Sequence, residues 1–238
     1  FTTLPDFRAA HGGVEQSVVA QRTAALKADD LATVVYTSGT TGRPKGVEIV
    51  HGTFVYLSRN GARSHLGPVL NTDETRTLLF MPLAHVFARF LQVICLLDAG
   101  VLGHCPDTRT LIADLQSFKP TYLLAVPRVF EKVYNSAAQR AAHGVKKAIF
   151  HWATNTAVAN SKAMDTPRGP SAAQRNALKL ANKLVLGKLR AAMGGDLQYA
   201  VSGGAPLSPK LGHFFRGMGL TVLEGYGMTE SCGPTTVN

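Results

Sequence analysis

The run Tyr36-Thr-Ser-Gly-Thr-Thr-Gly-Arg-Pro-Lys-Gly46 concentrates residue types able to hold a bulky anion. Gly39, Gly42 and Gly46 free the backbone to approach a phosphate at φ values that a side chain penalises. Thr37, Ser38, Thr40 and Thr41 add hydroxyls that can donate to phosphate oxygens, and Lys45 sets a mobile point charge beside them. The run reads as a cradle for nucleotide phosphates, with a ligand-free Gly/Thr hairpin as the alternative. It is not the Gly-x4-Gly-Lys-Ser/Thr loop that opens a helix. Gly46 follows the lysine, and β-branched runs at Thr33–Tyr36 and Val47–Val50 flank the loop. Strand, loop, strand is therefore the expected order, with the anion in a nest of backbone amides rather than at a helix N-terminus.

Further segments carry compatible chemistry. Met81-Pro-Leu-Ala-His-Val-Phe87 sets His85 among apolar neighbours, where a lone histidine is either a satisfied core residue or a group that meets substrate. Ser202-Gly-Gly-Ala-Pro-Leu207 is small and turn-forming, and Glu224-Gly-Tyr-Gly-Met-Thr-Glu230 combines an aromatic face, a hydroxyl and carboxylates. With the phosphate run, and in this order, these segments resemble the adenylate-forming superfamily of acyl-CoA synthetases, luciferases and adenylation domains of peptide synthetases. Val126-Pro-Arg-Val-Phe-Glu-Lys-Val-Tyr134 resembles a stretch of its long-chain acyl-CoA synthetase branch. The likeness covers nearly the whole chain, most strongly Leu31 to Pro234.

The resemblance implies a reaction in two steps. A fatty carboxylate attacks the α-phosphorus of ATP to give acyl-AMP and pyrophosphate, and the thiol of CoA then takes the acyl group and releases AMP. Positioning and charge neutralisation dominate the first step. By the resemblance, Thr37, Ser38, Gly39, Thr40, Thr41, Gly42 and Lys45 hold the β- and γ-phosphates, with Mg2+ sharing their charge. Glu230 is the implied metal ligand, a hard carboxylate that Mg2+ uses alongside phosphate oxygens and water, and Thr229 donates to the α-phosphate. Tyr226 offers a flat face to adenine, and Gly203, Gly204 and Ala205 leave room on the other side. Pro206, Glu224, Gly225 and Gly227 complete the nucleotide set. His85 orients the acyl carboxylate, so that His85, Lys45, Thr229 and Glu230 form the implied catalytic group. Read alone, Gly203-Gly204 is also a plain turn and Tyr226 a core aromatic. Phe87, Phe90 and Val126 suit an acyl tunnel or an ordinary core, and Arg89 is given no role.

Around these residues, alternating strand and helix patterns predict an α/β fold with helices on the faces of the sheet. Helices are expected at Val14–Ala25, Thr53–Arg63, Phe87–Leu97, Thr110–Phe118 and Pro209–Arg216. Strands are expected at Thr77–Phe80, Val101–Gly103, Thr121–Val126, Leu197–Val201 and Leu220–Leu223. Val129–Ala192 reads as mostly helical, interrupted by the Pro/Gly loop Asp165–Pro170. The apolar stretch Phe90–Val101 reads as a buried helix, too short and too polar at Gln92 and Asp98 to span a bilayer. The organisation implied is part of the large N-terminal domain of an adenylate-forming enzyme: a lead-in over 1–30, a mainly helical insertion over 131–193, and a small C-terminal lid domain outside this chain. Phe1 in place of Met, and an end at Asn238, read as a piece of a longer protein, whose adenylation by this piece alone is expected to be weak.

At 238 residues, 45% hydrophobic and 17% charged, the chain fits a soluble globular protein. Its net charge of +10 invites polyanions, ATP and CoA or an anionic membrane among them. Lys and Arg are spread along the chain, with modest groups at Lys146-Lys147 and Lys183–Arg190, and no nucleic-acid signature accompanies them. Cys95, Cys105 and Cys232 read as free cytosolic thiols without metal spacing. His143, His151 and His213 show no ligand spacing, and Glu131 with Lys132, like Asp73 with Glu74, reads as a solvated group. A cytoplasmic location, with peripheral membrane contact left open, follows from the absence of a leader or apolar span. The first reading is a long-chain fatty-acid–CoA ligase. A fatty-acyl-AMP ligase that loads a carrier protein, a non-catalytic nucleotide-binding module and a basic nucleic-acid binder remain the alternatives.

Overall fold

The computed structural model describes residues 4–10, 13–38, 42–63, 66–70 and 74–238. Helices α1 (Leu4–Ala9) and α2 (Gln16–Ala25) lead in, and α2 buries no residue. Strands β1 (Leu31–Thr37) and β2 (Lys45–Val50) pair antiparallel, with Thr37 opposite Lys45 and Tyr36 opposite Gly46. The strand–loop–strand order is therefore as expected. Glycine is required opposite Tyr36, because a Cβ on Gly46 would lie 2.8 Å from Val34 Cγ1.

Next come α3 (His51–Arg63), α4 (Gly67–Leu70), β3 (Arg76–Leu79), α5 (Val86–Leu97) and β4 (Val101–His104), with β3 and β4 parallel. Helix α6 (Leu111–Phe118) stops at Lys119 in the left-handed region, φ 52°, one residue before Pro120. Strand β5 (Tyr122–Ala125) then feeds α7 (Pro127–Arg140), where Pro127 occupies a first-turn position that needs no donor. The helical stretch continues as α8 (Gly144–Met164), α9 (Ala172–Ala181), a π segment at Asn182–Leu186 and α10 (Gly187–Ala192). A capping box starts α9: Ser171 Oγ accepts from Gln174 N–H, and Gln174 Oε1 accepts from Ser171 N–H. The chain ends with β6 (Tyr199–Gly203), α11 (Pro209–Met218), β7 (Thr221–Met228), a 3-10 turn at Thr229–Ser231 and β8 (Gly233–Val237). The sheet order is β5-β6-β7-β8, parallel through β7, with β8 antiparallel.

Several elements differ from expectation. The strand expected at Leu220–Leu223 runs on to Met228, so most of the Glu224–Glu230 motif is strand rather than loop, stabilised by pairing with the unforeseen β8. The strand expected from Leu197 begins at Tyr199. The Val129–Ala192 stretch starts two residues earlier and breaks a second time at Ala141–His143. The stretch Phe90–Val101 is a buried helix only in its first part: α5 carries Phe90, Leu91, Ile94 and Cys95 into the core but ends at Leu97, Leu96 is 73% exposed, and Val101 opens β4.

The main core sits between the four-stranded sheet and the helices behind it, where Leu123, Phe130, Ala157, Phe214 and Phe215 are essentially dry. Phe130 meets Phe215 edge-on, with ring centroids 5.5 Å apart. A second cluster packs α5 against Tyr122, Leu124 and Val201. The third is small: Val35, Ile49, Phe54, Val86 and Cys232. Among the described residues no helix is long and apolar enough to cross a membrane, and the three cysteines are free and buried.

Candidate functional site

Parallel strands leave their ligands beyond their carboxyl ends, where loops are free to vary while backbone positions stay fixed. The segments after β3, β5 and β6 and the end of β7 do converge here, around a cavity of about 600 Å3. The segment after β3 contributes Met81, Pro82 and His85, and the segment after β5 contributes Val126. Gly203 and Gly204 come from the end of β6, and Tyr226, Gly227 and Thr229 from β7 and the turn beyond it.

Local sequence explains these positions. His85 is the N-cap of α5, held extended at φ −96° and ψ 136°, so its exposed ring stands at the rim of the cavity. It is not a core histidine. Gly204 takes φ +83°, which turns the chain out of β6. Gly227 lies at a bulge where β7 meets β8, and a Cβ there would sit 2.0 Å from the carbonyl oxygen of Gly233. Tyr226, 66% exposed, is no core aromatic either, and it borders both the cavity and a neighbouring space of about 730 Å3. That second space brings in Ala205, Pro206 and Glu224, while Gly225 lines both. Glu224 is also structural, because its Oε1 accepts the N–H of Leu207 at 2.8 Å and ties the Gly203–Leu207 loop to β7.

The other predicted residues stand apart from the cavity. Thr37, Ser38, Gly42 and Lys45 line neither space, and nor does Glu230, which is exposed on the 3-10 turn. Gly39, Thr40 and Thr41 lie outside the described residues, as does Asp73. The third core cluster links these outlying groups to the cavity. It joins Val35 and Ile49 of the hairpin to Val86, next to His85, and to Cys232, two residues after Glu230. Cys232 is left-handed at φ 62° and 1% exposed, and burial pushes its thiol up to about 11.

Some lining residues carry no expected site role from the sequence. Thr108 contributes from the β4–α6 connection, and Arg128, Val129 and Lys132 from one side of α7. Lys132 falls at i+4 from Arg128 and at i+3 from Val129, and that helical spacing is the available signal. Glu131 pairs with Arg128 at 3.7 Å rather than with Lys132, whose Nζ donates to the carbonyl of Thr108 at 3.3 Å. Phe87 and Val126 line the cavity, whereas Phe90 is buried at 3% exposure. His213 is engaged elsewhere, its Nδ1 lying 3.0 Å from Ser161 Oγ. Among the described residues no group of three or more His, Cys, Asp or Glu side chains could hold a metal ion alone.

Known proteins share both the sequence and the fold. The chain is 45% identical over 229 residues to the long-chain-fatty-acid–CoA ligase FadD15 of Mycobacterium bovis, covering 96% of this chain and 38% of that protein. It is 36% identical over 218 residues to long chain acyl-CoA synthetase 3 of Arabidopsis thaliana, covering 88% and 31%. The chain thus spans about a third of the length of the curated relatives it matches. In solved structures, o-succinylbenzoate CoA synthetase of Bacillus subtilis, bound to ATP and a magnesium ion, superposes with a TM-score of 0.58 at 19% identity. That match covers 90% of this chain and 33% of the enzyme. The adenylation domain of a carboxylate reductase of Mycobacterium chelonae gives 0.57 at 22% identity, covering 93% and 31%. The residues matched by the family described as AMP-binding enzyme run from 4 to 238, and the chain belongs to that family.

Proposed function

We propose that this chain is the nucleotide- and acyl-binding part of a long-chain fatty-acid–CoA ligase, which forms acyl-AMP from ATP and a fatty acid and passes the acyl group to CoA. One observation carries the reading: a single cavity is lined both by apolar Phe87 and Val126, with His85, and by Gly203, Gly204, Tyr226 and Thr229. An acyl-adenylate is an apolar chain joined to a flat polar nucleotide, and it calls for both kinds of lining. The 36–45% identity to long-chain ligases and synthetases supports the choice of acid.

In this reading Tyr226 stacks on adenine beside the open Gly203–Pro206 turn, Glu224 holds that turn in place, and Gly225 and Gly227 keep the strand slim enough for close approach. Thr229 donates to the α-phosphate. Thr37, Ser38, Gly39, Thr40, Thr41, Gly42 and Lys45 hold the outer phosphates, and the third core cluster keeps their hairpin registered against Thr229. His85 orients the attacking carboxylate. Mg2+ fits Glu230 as an ion held mainly by phosphate oxygens and water with one carboxylate, and it would neutralise charge on the departing pyrophosphate. Residues 1–30 serve as a lead-in, and 131–193 form a helical insertion in the AMP-binding domain. Transfer to CoA belongs to the whole ligase.

A thermal-shift titration tests this, using a non-hydrolysable palmitoyl-adenylate analogue beside AMP alone and palmitate alone. At a hundred times its Kd a ligand adds about 2.7 kcal/mol, or roughly 5–10 °C for a chain of this size. A larger shift from the analogue than from either half is expected. Equal shifts from the analogue and AMP would remove the acyl assignment.

A further inference from the structure

The positive charge is concentrated in one place. Residues 131–193 hold eleven Lys and Arg against two acids, so +9 of the net +10 lies on this helical quarter of the chain. Lysines and arginines occur everywhere, as the sequence suggests, but the acids that would balance them are missing here. Three of these cations, Arg140 at the end of α7, Lys146 in the first turn of α8 and Lys188 in α10, rim a groove of about 530 Å3. Its floor is apolar, formed by residues such as Val133, Ile149, Phe150, Leu184 and Val185, and no acid lines it. Among the described residues none of the three cations forms an ion pair.

Apolar side chains reach solvent on the same face. Val145, Ile149 and Trp152 fall at i, i+4 and i+7 on α8, one stripe of the helix. Ile149 lines the groove, while Val145 is 75% and Trp152 38% exposed. Leu184, also exposed, sits in the π segment, whose wider turn presents it beside the groove. The segment is tied down: Arg190 donates to Asn182 Oδ1 at 2.8 Å and to the Met218 carbonyl at 3.0 Å, so the groove wall is held before any ligand arrives.

Cations around an aliphatic floor discriminate between anionic partners. A nucleic acid would use the charge but gains from polar donors and open stacking faces, whereas this floor is mostly aliphatic and its one aromatic, Phe150, is only 4% exposed. A lipid uses both, with its phosphate on the cations and its methylenes on the apolar side chains. We propose that this face docks on an anionic bilayer, with headgroups at Arg140, Lys146 and Lys188 and acyl carbons against Trp152, Leu184 and the groove.

Sedimentation of the 238-residue chain with vesicles tests the assignment. Binding is expected to mixed phosphatidylcholine–phosphatidylglycerol vesicles and not to phosphatidylcholine alone, and to fade as salt shortens the Debye length. The triple variant Arg140→Glu, Lys146→Glu, Lys188→Glu should lower partitioning roughly a hundredfold, whereas reversing Lys162, Arg168 and Arg175 should lower it much less. Leu184→Asp, at an exposed site that leaves folding intact, should weaken binding without flattening its salt dependence. Circular dichroism verifies that each variant is folded. Equal loss from both charge-reversal triples would mean diffuse attraction only and overturn the groove. Preference for duplex DNA over the vesicles, lost in the first triple, would reassign the face to nucleic acid. Saturable oleate binding in the groove without vesicle binding would make it a single-ligand site and end the docking proposal.

Discussion

The cavity region and the helical region of residues 131–193 share a core yet are written in different codes. Around the cavity, single residues matter: a glycine at 227 because a carbonyl lies 2.0 Å from where its Cβ would be, and a histidine at 85 set on the cavity rim by the start of α5. Charge nearly cancels, with a net of only +1 over all residues outside 131–193. In the helical region no short motif stands out, and what distinguishes it is a sum: +9 in charge and a stripe of exposed apolar side chains. Reacting atoms need particular groups at fixed backbone positions, so a site for chemistry leaves a spelled motif. Surface attraction depends on total charge and apolar area, which many sequences satisfy, so a docking face leaves only composition.

Substitutions can break or sharpen this contrast. The largest effect is expected where the two regions touch. A Cβ at Gly217 of α11 would lie 2.1 Å from the carbonyl oxygen of Ala157 in α8, so Gly217→Ala should cost about 3 kcal/mol or more in urea unfolding. If it also lowers acyl-adenylate affinity in the fraction that stays folded, the regions are not separable.

Raising the pH should act through the small cluster behind the site. Because burial raises the Cys232 thiol to about 11, the folded chain keeps a proton that the unfolded chain loses near pH 9. The unfolded state then binds fewer protons, so stability falls between about pH 9 and 11, by about 3 kcal/mol from this group. Buried Cys95 and Cys105 move in the same direction. Denaturant unfolding across that window should show the decline, and Cys232→Ala should make it shallower. An unchanged slope would separate Cys232 from the effect.

A smaller and more local effect is expected at the Gly203–Leu207 loop. Glu224→Ala strips the buried N–H of Leu207 of its partner, at a cost of about 2 kcal/mol. AMP affinity, read by calorimetry, should drop more than vesicle binding does. The smallest change lies in the helical region, where Ser171→Ala removes the capping box of α9 for about 1 kcal/mol. Nucleotide affinity should stay constant, and a measurable drop would again couple the two regions.

Legibility in the sequence followed the same division. The hairpin at 31–50 and helix α6 were readable because β-branched runs, glycines and Pro120 act through short-range sterics. Strand β8 was not readable, since Gly233–Val237 is extended only by pairing with β7. Helix α5 was readable as helix and as buried through Cys95, but an apolar run does not say where its cover ends, and Leu96 and Leu97 are exposed. Of the expected site residues, His85, Gly203, Gly204, Tyr226, Gly227 and Thr229 meet around one cavity, whereas Lys45 and Glu230 remain outside it. Arg128 and Lys132, within the Val126–Tyr134 segment, line that cavity with no expected site role from the sequence.

By itself the sequence determined the kinds of chemistry on offer and the local shapes that offer them. Hydroxyls, a lysine, glycines and turn residues act over a few positions, where steric rules are strict. The tertiary structure decided which of these groups share a space. It seated Cys232 between the β1–β2 hairpin and the start of α5, turned Glu224 onto Leu207, and gathered cations from three helices around one apolar groove. Those outcomes depend on packing between segments far apart in the chain, and no local pattern encodes them.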